Sequence, residues 1–206
     1  MRIRQRPMTM PLDALEDASD AELLRLYAEG APEAARLLTR RLTPMALRVA
    51  VRLLNDMAEA EDVAQDAMLR LWKAAPGWRA DEAKVSTWLY TVIRNLCMDR
   101  IRRVKTRGGA AVDIDAIAEP ADPGPAADVR LTEAARNTAL ADALADLPYR
   151  QREAVTLRHL EGLSNPEIAE IMDISTEAVE SLTARGKRNL ATALAARRND
   201  LGYSDE

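Results

Sequence analysis

The 206-residue chain holds one cysteine, Cys97, and one histidine, His159. A single thiol can form neither an intramolecular disulfide nor a cysteine metal cluster. Nowhere do a nucleophile and a base, a phosphate-binding glycine loop or metal-ligand spacing come together. His159 lies in a helical pattern and reads as an ordinary helix residue, not a ligand or a base. Catalysis, a metal and a cofactor are therefore not expected, and the chemistry that remains is recognition.

Three sets of side chains have the types and spacing for it. Asp62, Gln65, Asp66 and Leu69 recur at i, i+3, i+4 and i+7, which sets a leucine among carboxylates on one helical face. Such a face can dock on a partner; it can equally be a solvated face whose early acids complement the helix dipole. Trp88, Thr91, Asn95, Met98 and Arg102, flanked by Arg94 and Arg103, share one side of a second helix. An aromatic, an amide and arginines suit single-stranded nucleic acid, where bases stack and phosphates pair with guanidinium groups. The alternative for Trp88 is a core anchor packing on Trp78, and the terminal RRVKTR run also suits a helix C-terminus. Glu180, Ser181, Ala184, Arg185 and Arg188 form the outer face of a third helix.

The elements that must position these residues are helical. Gly162–Leu190 reads as two short helices with a tight connection. Ile168, Ala169, Ile171 and Met172 line the first, Asp173-Ile174-Ser175 breaks the run, and Val179, Leu182, Gly186 and Leu190 recur along the second. Ser175 or Thr176 caps the second helix, and Glu177 sits in its positively polarised first turn. Ala169 is small enough to let the two helices approach closely. This is the layout of a helix-turn-helix, whose second helix lies in the DNA major groove. An ordinary helical hairpin is the plainer alternative.

Upstream, residues 1–17 read as a loose tail, and Ser19-Asp20 opens a helix carrying Leu23, Leu24, Leu26 and Tyr27. Pro32 opens the next, which Thr43-Pro44 interrupts or restarts. The helix bearing Asp62 buries Ala60, Val63, Ala64, Ala67, Met68 and Leu71 and stops at Pro76-Gly77. After a polar loop from Trp78 to Thr87, Ser86 or Thr87 caps a helix that buries Leu89, Val92, Ile93, Leu96 and Cys97. Residues 108–130 carry three Gly, three Pro and five acids without an apolar period, the composition of a linker. Beyond it, Leu140, Leu144 and Leu147 line one helix, and Pro148 opens another with Ala154, Val155, Leu157 and Leu160 apolar up to Gly162.

Hydrophobic residues at 48% make the chain globular, and the absence of Phe with 3% aromatics favours small helical bundles over sheets. No apolar run approaches the roughly 20 residues of a membrane span. The arginines of MRIRQRPMTMPLD precede no apolar core, so no secretory signal is expected and a cytoplasmic protein fits. The net charge is −4, but its distribution matters more than its total. Residues 55–66 hold five acids and no base, whereas residues 98–107 hold five bases and one acid. Basic where nucleic acid can sit and acidic elsewhere, such a chain binds DNA weakly alone and needs a partner.

Taken in order, DMAEAEDVAQDAMLRLWK, the W…STWLYTVIRNLCMDRIRR block, the acidic linker and LADLPYRQREAV…GLSNPEIAEIMDISTEAVESLTARGKRNL closely resemble bacterial extracytoplasmic-function (ECF) sigma factors of the sigma-70 family. The resemblance spans most of residues 19–196. It implies an all-α fold of two small helical domains: a sigma-2-like bundle over 19–107 and a sigma-4-like helix-turn-helix domain over 131–198, joined by the flexible linker at 108–130. It implies that Asp62, Gln65, Asp66 and Leu69 dock on the clamp helices of the largest subunit of core RNA polymerase, with the second domain on the flap. The Trp78–Thr87 loop would capture a flipped base of the −10 element, with Trp88, Asn95 and the Arg100, Arg102, Arg103 cluster against the melting strand.

At the −35 element the matching positions are Glu180, Ser181, Ala184 and Arg185. Many family members carry a base in place of Glu180 and another in place of Leu182. Arg185, helped by Ser181, is then the leading base reader, with Lys187 and Arg188 on the backbone. The resemblance also implies an anti-sigma factor as a partner and a role in stress-responsive transcription. Two alternatives are a sigma mimic that sequesters an anti-sigma factor and a stand-alone helix-turn-helix repressor; the latter would leave the EDVAQD and STWLY blocks without a job.

Overall fold

A computed structural model describes residues 15–79, 84–106 and 127–195. The expected linker at 108–126, the centre of the Trp78–Thr87 loop and the end of the second domain past 195 lie outside the described residues. Regular structure within them is helical: α1 Asp20–Ala28, α2 Pro32–Leu54, α3 Met57–Ala74, α4 Val85–Thr106, α5 Ala127–Ala145, α6 Tyr149–Val155, α7 Asn165–Met172 and α8 Thr176–Ala195. The chain divides into two compact units, the division falling after Met98 within α4.

In the first unit, Ser19 caps α1 by accepting from the Glu22 N–H at 3.2 Å, and Leu23, Leu24 and Leu26 are buried beneath it. The tail expected to be loose through residue 17 is already tied down at Leu15, which is 2% exposed. Arg41 of α2 donates to the carbonyls of Glu16 and Ala18 and reaches Asp20 at 3.2 Å, so one guanidinium satisfies two backbone acceptors and a carboxylate.

The expected interruption at Thr43-Pro44 is absent, and α2 runs through it. An internal proline costs a helix about 3 kcal/mol. Each fully buried Leu, Met or Val returns roughly 1.5–3 kcal/mol. Leu37, Leu38, Leu42, Met45, Val49 and Leu53 keep one buried phase on both sides of the proline, so the stripe outweighs the break.

Asp56 caps α3, accepting from the Glu59 N–H at 3.0 Å. The buried stripe of α3 is Ala60, Val63, Ala64, Ala67, Met68 and Leu71, the set its periodicity predicts. A short turn over Ala75–Gly77 ends the helix, and the Tyr27 ring packs on Trp72 with centroids 4.7 Å apart. α4 begins earlier than a Ser86 or Thr87 cap would allow. The Lys84 carbonyl accepts the Trp88 N–H at 3.1 Å, which places Ser86 and Thr87 inside the first turn. Burial of Val85 draws that turn onto the core. Leu89, Ile93, Leu96 and Cys97 are buried as expected and Val92 is half-buried; Tyr90 joins them without having been anticipated.

In the second unit, α5 starts at Ala127, within the stretch expected as linker. Arg152 caps its C-terminal end by donating to the carbonyls of Ala145 and Leu147. Leu144, Leu147 and Val155 form a core to which Leu140, Leu160 and Leu190 add. The helix expected to run on to Gly162 leaves α geometry after Val155 and makes a wide π turn over Thr156–Leu160. Five consecutive residues, Glu153 to Leu157, are buried, more than one α-helical stripe can accommodate, and the wider turn faces them inward together. Gly162 then takes a positive φ of 74° to close the segment.

Ser164 and Glu167 form a reciprocal capping box at the start of α7, and Asp173 ends the helix in the left-handed region at φ 52°. Ser175, rather than Thr176, caps α8 by accepting from the Ala178 N–H at 3.2 Å. Val179 and Gly186 are buried and Leu182 and Leu190 half-buried, as the spacing predicts. Ala169 is half-buried on α7, and a close approach of α8 to a different helix, α6, is made at Gly186. A Cβ there would stand 2.6 Å from Val155 Cγ2 and 3.1 Å from the Gln151 carbonyl oxygen.

Alanine at Gly186 gains about 1 kcal/mol of helix propensity but must push a buried valine and a backbone carbonyl apart, an overpacking cost of about 1–3 kcal/mol. Urea denaturation of Gly186→Ala is expected to show a net loss of up to about 2 kcal/mol. Val155→Ala should cost less in that background than in the wild type, because the deleted methyl vacates the space the new one needs.

Candidate nucleic-acid and partner interfaces

On α3, Asp62, Gln65, Asp66 and Leu69 all lie exposed on the side opposite the buried stripe, as expected. Leu69 is 48% exposed, unusual for a leucine on a helix whose other large apolar residues are mostly covered. Gln65 and Leu69 also border a groove of about 320 Å³ between α2 and α3, floored by Leu47, Met68 and Trp72. The carboxylate that lines it is that of Glu61. Met57, 55% exposed at the start of α3, is a second large apolar side chain left in water by this unit. The surface therefore combines carboxylates with an accessible apolar strip.

On α4, Asn95, Arg102 and Arg103 are exposed, Arg100 and Trp88 half-buried. Arg102 faces Asp99 one turn back at 3.7 Å, an exposed and weak pair that leaves most of the guanidinium's donors to solvent. Arg94 donates to Asn95 Oδ1 at 3.3 Å, which leaves the Asn95 amide donors facing outward. Trp88 meets Trp78 edge to face with centroids 5.7 Å apart, so the core-anchor reading of this ring holds for one side of it. Along α4, Trp88 stands seven residues before Asn95, at positions that share one side of the helix. The Trp78–Thr87 loop, expected to capture a base, is described only at Trp78, Arg79 and from Lys84 onward.

On α8, Glu180, Ser181, Ala184, Arg185, Lys187 and Arg188 are all exposed. Arg185 Nε donates to the Ser181 carbonyl at 3.2 Å, which tethers the guanidinium along its own helix and leaves its terminal nitrogens outward. Charge is ordered along the helix, with Glu177 and Glu180 first and the bases after. The Glu177 carboxyl is held below its ordinary range by its own backbone N–H and by the Ser175 hydroxyl, so it stays ionised in the first turn. One contact has no periodic signal: Asn165 at the start of α7 donates from Nδ2 to Glu180 Oε1 at 3.3 Å.

Residues 38–107 match the family model of Sigma-70 region 2, and residues 137–190 match that of Sigma-70, region 4. Over 178 residues the chain is 34% identical to the ECF RNA polymerase sigma factor SigM of Mycobacterium tuberculosis, an alignment covering 86% of each. It is 31% identical over 189 residues to the RNA polymerase sigma-H factor of Pseudomonas aeruginosa, covering 87% of this chain and 96% of that one. In fold it is similar to the sigma factor RpoE, solved with the anti-sigma factor NepR from Bartonella quintana. The TM-score is 0.62 at 24% identity, over 78% of this chain and 96% of the other. The two regions define a sigma-70-type initiation factor, and the chain belongs to the ECF RNA polymerase sigma factors of that family. The resemblance carried by the EDVAQD and STWLY blocks is borne out. No helix among the described residues is long and apolar enough to cross a membrane.

His159 lies exposed in the π turn. Partial desolvation, then the positive charges of Lys187 and Arg158, push its imidazole below the ordinary value of 6.5. The folded state therefore disfavours the imidazolium. Its contribution to stability is complete above about pH 6.5, where the unfolded side chain is also neutral, and is lost as pH falls through the lower folded value. A proton NMR titration is expected to place the His159 midpoint below 6.5, and His159→Gln should flatten the acid-side decline in stability below about pH 6.5.

Proposed function

We propose that this sigma factor docks on core RNA polymerase through the exposed face of α3 and reads promoters with α4 and α8. The observation that carries the reading is the position of Asp62, Gln65, Asp66 and Leu69, exposed together on α3 while its opposite stripe lies in the core. Carboxylates around an apolar strip suit the basic and apolar side chains of a helical partner, here the clamp helices of the largest polymerase subunit. The second domain engages the flap. Opposite charge steers such an encounter, and the leucine and the neighbouring groove supply the apolar contact that holds it.

Downstream, Asn95 and the arginines of α4 (Arg100, Arg102 and Arg103) line the melted −10 strand, with Trp88 at its upstream end on the same side of the helix. Upstream, Ser181, Ala184 and Arg185 face the −35 bases, with Lys187 and Arg188 on phosphates. The protein does no covalent chemistry; it lowers the cost of opening by holding the opened strand. It works in the cytoplasm, where polymerase and promoter are. An anti-sigma factor that covers these same faces is the expected regulator.

Run-off transcription with purified core polymerase on a promoter library tests the whole reading. Within it, Asp62→Arg with Asp66→Arg is expected to abolish co-purification of core polymerase and transcription while circular dichroism and melting stay near wild type. Retained binding would remove the clamp assignment. Arg185→Ala is expected to weaken promoter binding by about 1–3 kcal/mol and relax preference at one or two base pairs. A uniform loss on all sequences would instead mark Arg185 as a phosphate contact.

A further inference from the structure

Glu180 is an awkward residue for a helix that enters DNA. A carboxylate repels phosphate, and an exposed glutamate samples many rotamers, so by itself it weakens binding without selecting anything. The structure supplies what would change this. Asn165 Nδ2 donates to Glu180 Oε1 at 3.3 Å, across the turn between α7 and α8. The backbone under Asn165 is held by the Ser164–Glu167 capping box, with the Ser164 N–H on Glu167 Oε2 at 3.0 Å and the Ser164 hydroxyl on the same oxygen at 2.7 Å. The backbone under Glu180 is held by the burial of its neighbour Val179, 0% exposed. Two fixed backbones and one hydrogen bond give the carboxylate a direction. With Oε1 engaged by Asn165, Oε2 remains as the second acceptor of a side chain exposed on α8, one residue before Ser181.

An oriented acceptor in the major groove matches an amino donor. Cytosine presents N4–H₂ there. Adenine presents N6–H₂ too, but beside the N7 acceptor, which repels a carboxylate. We propose that Asn165 is a positioning residue of the upstream promoter reader, holding Glu180 so that its second carboxylate oxygen accepts from the N4 amino group of a cytosine. This rests on the assignment of α8 to the upstream element and adds to it the base class that Glu180 selects.

The test uses the full-length chain assembled with core polymerase and a duplex promoter library randomised in the upstream element over a constant −10 region. Retained DNA is sequenced. The wild type is expected to enrich cytosine at one position. Glu180→Gln should lower that preference by at least about fivefold, because the amide adds a donor that can turn toward the base. Asn165→Ala should lower the same preference by about threefold and leave the other positions unchanged, the size of effect expected for losing one exposed hydrogen bond. Asn165→Asp, which replaces the donor by a like charge, should lower it at least as far. Asn165→Ala added to Glu180→Gln should change nothing further at that position, a result that a merely structural role for Asn165 would not give.

Cytosine preference that survives Asn165→Ala but not Glu180→Gln overturns the positioning role. So does an equal loss at every position, or the loss of an adenine preference, which would make Asn165 itself the base reader. A wild type that selects some other base at the Glu180-sensitive position overturns the cytosine assignment. Failure of the wild type to enrich any upstream sequence would instead bring down the assignment of α8, a different and recognisable outcome.

Discussion

Where α8 crosses α6, the two backbones come so near that a single added carbon at Gly186 would sit 2.6 Å from the Val155 side chain. The outer face of α8 depends on that contact. Asn189 donates to Gln151 Oε1 at 2.9 Å at the edge of the crossing, and Leu190 packs on the core formed by Leu144, Leu147 and Val155. With Val179 and Gly186 held inward, helical geometry leaves Ser181, Ala184, Arg185 and Arg188 no direction but outward. The first unit uses the same device in another form. Ala60, Ala64 and Ala67 lie along the buried stripe of α3, and small residues on that side let the helix seat deeply against α2. In a chain without phenylalanine, helices meet through small and aliphatic side chains. Narrow buried stripes leave broad polar faces, and those faces carry the residues proposed for recognition.

This explains which parts of the molecule were legible before any coordinates. Helical periodicity records burial, so the six buried residues of α3 and the inward set of α8 could be read off directly. Capping was legible only in part: Ser19 and Ser175 accept the bonds their positions offer, Asp56 and Ser164 do so without having been anticipated, and the expected Ser86 or Thr87 cap falls inside the first turn of α4. The features that escaped arise from tertiary context. Leu15 looks like part of a polar tail until Arg41, far along the chain, collects the carbonyls beside it. Pro44 looks like a break until the stripe on both sides of it is found to face one core. The π turn over Thr156–Leu160 has no sequence period of its own, because it exists to reconcile five adjacent buried residues with a helix.

The recognition surfaces divide in the same way. Which residues are exposed on each helix was legible, since exposure is the complement of burial. How they are oriented was not. The packing of Trp88 on Trp78 was one of two open readings, and choosing between them needed a contact made across the loop rather than along the helix. The Asn165–Glu180 bond joins residues 15 apart through a turn, and no pattern within one helix could announce it.

The order of charge along α8 then acquires a meaning that net charge lacks. A chain of −4 overall gains little from neutralising phosphates indiscriminately, since that attraction scales with the number of phosphates met by bases. Glu177 in the first turn of α8 suits the positive end of the helix dipole, and it and Glu180 oppose any phosphate brought there. Arg185, Lys187 and Arg188 further along favour one. In the proposed reading, a register that brings the bases of this helix to the backbone and its acids to amino groups is favoured over the others, so the acids cost affinity and supply selection. For a factor that approaches DNA already attached to a large polymerase, affinity can come from the assembly, and selection is what the small helix has to contribute.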